Sequence, residues 1–418
     1  MAGNEHPLIE ARAERTRWFL QDRFGMFIHW GLYALLARGE WVRSVERISN
    51  EDYQKYFEEF NPDHYDPKTW AKLARQAGMR YAVLTAKHHD GFCLFDSQLT
   101  GYKSTNTPCS RDLVREYVEA FRAEGLKVGL YYSLLDWHHP DYPAYGDRHH
   151  PMRESEDYKN RPQDFSRYIE TLHGQVRELL SDYGKIDIIW FDGGWERMPD
   201  EWQATELEAM IRSLQPEILI NDRLPGAGDY NTPEQFVPPQ VPDRAWEACM
   251  TINESWGYNP DDKQFKSGRQ LVHTLCEIAA RGGNLLLNVG PMADGKLPPE
   301  LLERLAVIEG WMARHAESII GTAPGLEPWQ FYGPSTRRGD RIYLHLLMRP
   351  YDTVSVRGLP IRRVRSVRAL GAGRELAFTT RAPIIESMFG ADPVGEVTIT
   401  VPENVVDPYA TVLALDVA

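Results

Sequence analysis

Acids and imidazoles recur in one kind of place along this 418-residue chain, at the polar end of a short apolar run. The sharpest case is Ile186-Asp-Ile-Ile-Trp-Phe-Asp-Gly-Gly-Trp195. Its first half has the continuous apolar character of a strand buried on both faces, and Asp192 ends it. A carboxylate walled by Trp190 and Trp195 is badly placed for solubility and well placed for chemistry. The two glycines after it let backbone or ligand approach closely, although many Asp-Gly pairs only close a turn. The pattern repeats with His29 and Trp30 after Phe24–Ile28, and with His88 and His89 after Tyr81–Ala86. It recurs with Asp136 and Trp137 beyond Lys127–Ser133, with Asp222 after Ile218, and with Glu247 beside Trp246. Glu40 and Trp41 follow the first of these runs.

Two chemistries compete for such a set. A metal-assisted hydrolase would use the histidines, but His88 and His89 are adjacent, so their side chains diverge in an extended segment. No H-E-x-x-H or H-x-H spacing accompanies them. Neutral imidazoles that hydrogen-bond sugar hydroxyls fit an aromatic-rich pocket equally well. A glycosidase needs two carboxyl groups about 5–5.5 Å apart for retention of configuration, one ionised and one protonated. Asp192, near the amides of the double glycine, is the candidate for the ionised partner. Glu247, between Trp246 and an apolar run, is the candidate for the protonated one, with its pKa raised by burial. The competing reading of Glu247 is an ion pair with one of the arginines.

The elements that must hold these residues alternate. Charged residues 8–22 suggest a first helix, Asp66 can cap a helix ending at Gly78, Ser110 one ending at Gly125, and Ser267 one reaching Arg281. Further helices are expected over about 162–183, 202–214 and 298–320. Strands are expected at 24–30, 81–86, 127–133, 186–192, 218–222, 247–253 and 284–290. Strand-then-helix units at this spacing predict a parallel sheet with helical crossovers. Many polar strand ends converging on one site favour a closed (β/α)8-like, TIM-type barrel over an open sheet. Residues 140–162 are expected to be a long polar loop, and 226–243, rich in Gly, Pro and Asn, a long loop on the active side. Past about residue 325 short alternating runs such as Arg341–Leu347, Thr353–Arg357 and Glu396–Val401 replace this rhythm and predict a small antiparallel β-sandwich. The expected division is a catalytic barrel over 1–325 and a sandwich over 326–418.

Composition narrows the class. A formal net charge of −13 opposes broad association with nucleic acid. Twelve tryptophans and twenty tyrosines are a generous supply of flat faces for sugar rings as well as for a core. Four scattered cysteines form no CxxC pair and suggest a reducing compartment. The first ten residues lack a basic and apolar leader pattern, and no run approaches the roughly 20 apolar residues a membrane helix needs, so the expectation is a cytoplasmic protein with no membrane partner.

Several segments together resemble the α-L-fucosidases of glycoside hydrolase family 29. They are Phe24-Gly-Met-Phe-Ile-His-Trp-Gly-Leu-Tyr33, Gly39-Glu-Trp41, Lys87-His-His-Asp-Gly-Phe92, Gly129-Leu-Tyr-Tyr-Ser133, Trp190-Phe-Asp192, Trp256-Gly-Tyr258 and Gly282-Gly-Asn-Leu-Leu-Leu-Asn-Val-Gly-Pro291, in the family's order. The resemblance implies a barrel followed by a sandwich, and retaining hydrolysis of terminal α-L-fucose without metal or organic cofactor. It implies Asp192 as nucleophile, and His29, Glu40, Trp41, His88, His89, Tyr132 and Trp190 as residues lining the fucose pocket. The acid/base varies between subgroups: Glu247 matches one and Asp261 or Asp262 another, and rigidity at a strand end favours Glu247. An arginine that some members carry after this glutamate is replaced by Met250. The expectation is therefore an exo-α-L-fucosidase acting on fucosylated oligosaccharides or glycoconjugates, with assembly into a homo-oligomer left open. The alternatives are a non-catalytic fucose-binding protein and a metal-dependent hydrolase using His88 and His89.

Overall fold

The computed structural model describes residues 5–418; residues 1–4 of the stretch read for a leader lie outside them. Seven strands form one parallel sheet: β1 (Phe24–Ile28), β2 (Tyr81–Lys87), β3 (Lys127–Ser133), β4 (Ile188–Asp192), β5 (Leu219–Ile220), β6 (Glu247–Thr251) and β7 (Asn284–Val289), in the order β5-β4-β3-β2-β1-β7-β6. The sheet curls until its two edge strands are joined by an irregular segment. Asn221 bridges Tyr230, Asn231 bridges Trp246 and Glu234 bridges Cys249, so residues 230–235 stand where an eighth stave belongs. The barrel of the sequence reading is present, with this segment in place of a regular strand.

Almost every strand residue is buried, as a parallel sheet covered by helices requires. Side chains alternate between the barrel interior and the helix layer. Phe27, Tyr81, Val83, Tyr131, Ile188, Trp190, Cys249 and Leu286 pack with one another inside. Met26, Ala82, Leu130, Tyr132, Ile189 and Phe191 belong to the outer core under the helices. Gly25 is required for this packing, because a Cβ there would stand 2.4 Å from the Tyr81 ring that lies across it.

The helices form where caps start them. Asp66 accepts from the Lys68 N–H at the head of Pro67–Gln76, and Ser267 and Gln270 form a reciprocal capping box on Gly268–Ala280. Ser110 does not cap the next helix: it lies in a turn at φ 47°, and Asp112 caps Leu113–Ala123 through the Arg115 N–H. Beyond the helix Pro299–His315 the chain becomes antiparallel. Strands β8 (Ala323–Pro324), β9 (Ser335–Arg338), β10 (Arg341–Leu346), β11 (Thr353–Pro360), β12 (Val364–Ala369), β13 (Arg374–Glu375), β14 (Phe378–Arg381), β15 (Val394–Thr400) and β16 (Thr411–Val417) make two sheets, β13-β12-β16-β10-β9-β8 and β11-β15-β14. Leu344, Val367 and Leu413 of the first pack against Val356, Val397 and Ile399 of the second, giving the predicted sandwich. Among the described residues no helix is long and apolar enough to cross a membrane.

Candidate active site

The carboxyl ends of the barrel strands surround a cavity of about 400 Å³. Asp192, the last residue of β4, reaches it because it shares the inward parity of Trp190. Its Oδ2 accepts from the Tyr131 hydroxyl at 2.9 Å, and its Oδ1 from Arg223 Nη1 at 3.0 Å. His89 Nε2 lies 3.7 Å from Oδ2.

Arg223 sits on the turn after β5. Its Nη2 donates to Glu234 Oε2 at 2.7 Å, and its guanidinium lies 4.9 Å from the centre of the Trp190 ring. Burial opposes the charge on Arg223, but Asp192 and Glu234 outweigh it and hold its pKa above the ordinary value. The double glycine after Asp192 makes this approach possible. Gly193 is left-handed at φ 82°, and a Cβ on Gly194 would fall 2.3 Å from the Arg223 carbonyl oxygen. The glycines admit a neighbouring loop, and that loop carries the guanidinium to the nucleophile candidate.

Three buried imidazoles line the cavity, with a fourth, His149, at its rim. His29 Nδ1 is 2.7 Å from Asn288 Oδ1, His89 Nδ1 is 2.6 Å from Ser133 Oγ, and His88 stacks parallel to the Tyr131 ring at 5.3 Å. Burial lowers the pKa of all three, that of His29 to about 4, so each is a neutral ring at neutral pH. Glu40 Oε2 accepts from the Gly257 N–H at 2.8 Å; burial raises its pKa and that amide opposes the rise. Trp41 packs on His89 and Trp137, while Trp195 stands at the mouth, 42% exposed. His149, hydrogen-bonded to Glu196, completes the rim between Trp41 and Trp195. Among the described residues no group of three or more His, Cys, Asp or Glu side chains is placed to hold a metal ion.

The structure brings Asp192, His29, Glu40, Trp41, His88, His89 and Trp190 to one cavity, and it separates Tyr132 and Glu247 from them. Tyr132 has the outward parity of β3: its hydroxyl donates to Gln175 Oε1 at 2.7 Å in the helix layer, and Tyr131 takes the inward place. Glu247 opens β6 instead of closing it, so it enters at the amino end, level with Asn284 and beneath the cavity floor. It accepts from the Tyr81 hydroxyl at 2.5 Å and from Trp190 Nε1 at 3.2 Å. Burial does push its pKa up, to about 7, but the group is sealed and reaches no leaving group. No guanidinium pairs with it among the described residues, so the ion-pair reading fails as well.

Asp261, Asp262, Asp136 and Asp222 also lie outside the cavity. Asp262 spends its oxygens on the Glu254 and Gln264 amides and the Ser255 hydroxyl, and Asp261 is exposed on the same loop. Asp136 pairs with buried Lys87, and Asp222 with Asn231 and Thr232. Met250 does not leave the site without an arginine, because Arg223 supplies one. Cavity residues given no role from sequence include Tyr131 and Trp256, which lie within quoted motifs, Glu234, which lies in the loop expected on the active side, and Arg223 and His149. Strict alternation along β3 from a fixed inward residue would have found Tyr131. Arg223 and Glu234 lie in a segment whose path only the folded chain reveals.

Cleavage of a glycosidic bond calls for a pair of carboxyl groups. This barrel mouth holds two, joined by one guanidinium in a cavity walled by neutral imidazoles and flat indoles, which are the parts of a glycoside hydrolase site. The family model described as Alpha-L-fucosidase matches residues 6–317. Tissue alpha-L-fucosidase of Homo sapiens is 30% identical over 396 residues, covering 87% of this chain and 82% of its own. Alpha-L-fucosidase isoenzyme 1 from Paenibacillus thiaminolyticus is 49% identical with a TM-score of 0.90, covering 98% of this chain and 100% of its own. A GH29 alpha-L-fucosidase from Bacteroides thetaiotaomicron, solved as a trapped covalent intermediate with 2-fluoro-fucosyl fluoride, is 29% identical with a TM-score of 0.84, covering 97% and 96%. The chain belongs to the α-L-fucosidase family.

Proposed function

We propose that the chain is a retaining exo-α-L-fucosidase in which Asp192 is the nucleophile and Glu234 the general acid/base. The observation that carries this pairing is the Arg223 fork, with one guanidinium nitrogen on Asp192 and the other on Glu234. A single planar group spanning both carboxylates holds them close together, as double displacement needs. The exposures divide the roles. Asp192 lies inside the cavity, and the Glu234 side chain is 40% exposed at its open side, where a leaving group departs and protons come from solvent. Glu40, the third carboxyl of the cavity, is buried and tied to the Gly257 amide, which suits hydroxyl recognition.

In the first step an Asp192 oxygen bonds the anomeric carbon, the glycosidic C–O bond breaks, and the Glu234 proton passes to the departing oxygen. In the second, Glu234 as carboxylate takes a proton from water. The water oxygen bonds the anomeric carbon, and the ester bond to Asp192 breaks. Ester formation neutralises Asp192, which leaves the Arg223 charge to Glu234 as that residue becomes anionic. The barrel interior beneath Trp190 and Phe27 is packed, so the cavity is a blind pocket for one terminal sugar, which supports the exo mode.

Asp192→Gly is expected to abolish turnover of an aryl fucoside nearly completely, with azide restoring part of the rate. Glu234→Ala is expected to depress hydrolysis of fucosyl oligosaccharides far more than that of aryl fucosides, whose leaving groups need little protonation. Normal activity of Asp192→Gly overturns the nucleophile assignment. The selective loss appearing in Glu247→Ala or Asp262→Ala, and not in Glu234→Ala, overturns the acid.

A further inference from the structure

We propose that Asn288 is a positioning residue that fixes one tautomer of His29, making this ring a hydrogen-bond acceptor that selects a sugar hydroxyl at its corner of the pocket. The inference deepens the fucosidase reading and rests on it for the identity of the ligand.

Asn288 lies on β7 opposite Phe27 of β1, and the backbone N–H of His29 continues that ladder by donating to the Val289 carbonyl at 3.1 Å. The Asn288 side chain is buried, and its two ends are chemically distinct. Nδ2 donates at 2.8 Å to the carbonyl oxygen of Trp256, which can only accept. That bond fixes the amide orientation and turns Oδ1 toward His29 Nδ1, 2.7 Å away. Oδ1 can only accept, so Nδ1 carries the proton. In a neutral ring Nε2 is then bare, and among the described residues it makes no hydrogen bond to the protein. The chain Trp256 carbonyl, Asn288 amide, His29 ring thus presents a lone pair to the cavity.

The surroundings support a neutral ring. His88 and His89 from the end of β2, Tyr131 of β3, Asp192 of β4, Arg223 after β5 and the Trp256 ring all face His29. Asp192 attracts a second proton to it, while burial, His89 and Arg223 oppose one. A substrate hydroxyl satisfies the bare nitrogen by donating. A fluorine or an ether oxygen at the same position sets lone pair against lone pair.

The tautomer is read directly in the ligand-free protein, by long-range proton–nitrogen correlation of ¹⁵N-histidine-labelled enzyme, with His29→Gln identifying the resonances. The expected result at neutral pH is a protonated Nδ1 and a bare Nε2. A protonated Nε2 overturns the proposal. Asn288→Leu removes the lock and is expected to raise KM for an aryl fucoside roughly tenfold while kcat changes far less. Asn288→Asp places an anion beside Nδ1 and favours the imidazolium, so the acid limb of its kcat/KM profile is expected to move to higher pH. The Asp variant should also discriminate less against fucosides in which a hydroxyl is replaced by fluorine. An unchanged KM in a folded Asn288→Leu, or an unmoved acid limb in Asn288→Asp, overturns the proposal. If Asn288→Leu does not fold, the wild-type spectrum and the near-isosteric Asp variant still decide it. Failure of the catalytic reading would show in Asp192→Gly and leave the spectrum unchanged.

Discussion

At the scale of single residues, the contrast between Glu234 and Glu247 shows how place governs chemistry. Glu234 reaches solvent and shares an arginine with Asp192, whereas Glu247 is closed in beneath Trp190 with only a phenol and an indole N–H as donors. With no positive partner, Glu247 has its pKa raised by burial from 4.5 to about 7. The native state therefore holds this proton over a range in which the unfolded chain releases it. Stability from this group is fully present below about pH 4.5 and is lost as pH rises through about 7. Glu247→Gln, which stays neutral, is expected to gain melting temperature relative to the native enzyme as pH is raised from about 4 to about 8. A Tm difference that is flat across this range would show that Glu247 does not carry the buried proton.

At the scale of elements, the site depends on the turn beyond each strand as much as on the strand. In the turn after β4, Gly193 takes the left-handed conformation beside Leu135, and Gly194 leaves room for the turn after β5 to lie against it and bring in Arg223. Gly194→Ala would set a methyl group against the Arg223 carbonyl and the Pro225 ring, which stands 2.8 Å from the ideal Cβ. The expected outcome is a kcat/KM lowered by about 10²-fold, because a misplacement of about 1 Å is enough for that loss. The accompanying loss of stability is expected to be only about 1–3 kcal/mol, the usual range for overpacking. Parallel kinetics and thermal melts check this, and unchanged kinetics with a lowered Tm would detach the glycine from the Arg223 placement. Local sequence was a good guide to this layer. Asp66 and Ser267 cap the helices expected of them, and the apolar runs form the strands expected of them. Ser110 misled because a serine two positions before an aspartate leaves the choice of cap to the turn geometry, which selects Asp112.

At the scale of the whole molecule, the barrel and the sandwich are joined by a shared core. Tyr343, Ala410, Val412 and Ala414 of the sandwich pack into the same apolar cluster as the barrel helices. Trp311 Nε1 donates to the Ala410 carbonyl at 2.9 Å, His273 bonds the Tyr409 carbonyl at 2.8 Å, and Arg314 pairs with Asp407 at 2.7 Å. Trp311→Ala is expected to remove about 3–5 kcal/mol, the usual loss for a buried tryptophan. Because the core is continuous, unfolding is expected to remain one calorimetric transition at a lower Tm. Two resolved transitions would show instead that the halves unfold independently.

The strand–helix order and the change to an antiparallel unit were legible in the chain. The family resemblance singled out Asp192, His29, His88, His89, Glu40, Trp41 and Trp190 from a wider set of polar strand ends that also held Asp136, Asp222 and Glu247. Period and caps are local in the chain and carry the element order, whereas the pocket residues rest on the ordered motifs of the resemblance. Tertiary structure alone decided which of Tyr131 and Tyr132 faces inward, that Glu247 lies at the closed end of β6, and that Arg223 joins Asp192 to Glu234. The physical reason is that the direction of a strand end and the partner across a barrel are set by closure. Closure brings together residues 31 positions apart, as in Arg223 and Asp192, or 259 apart, as in His29 and Asn288.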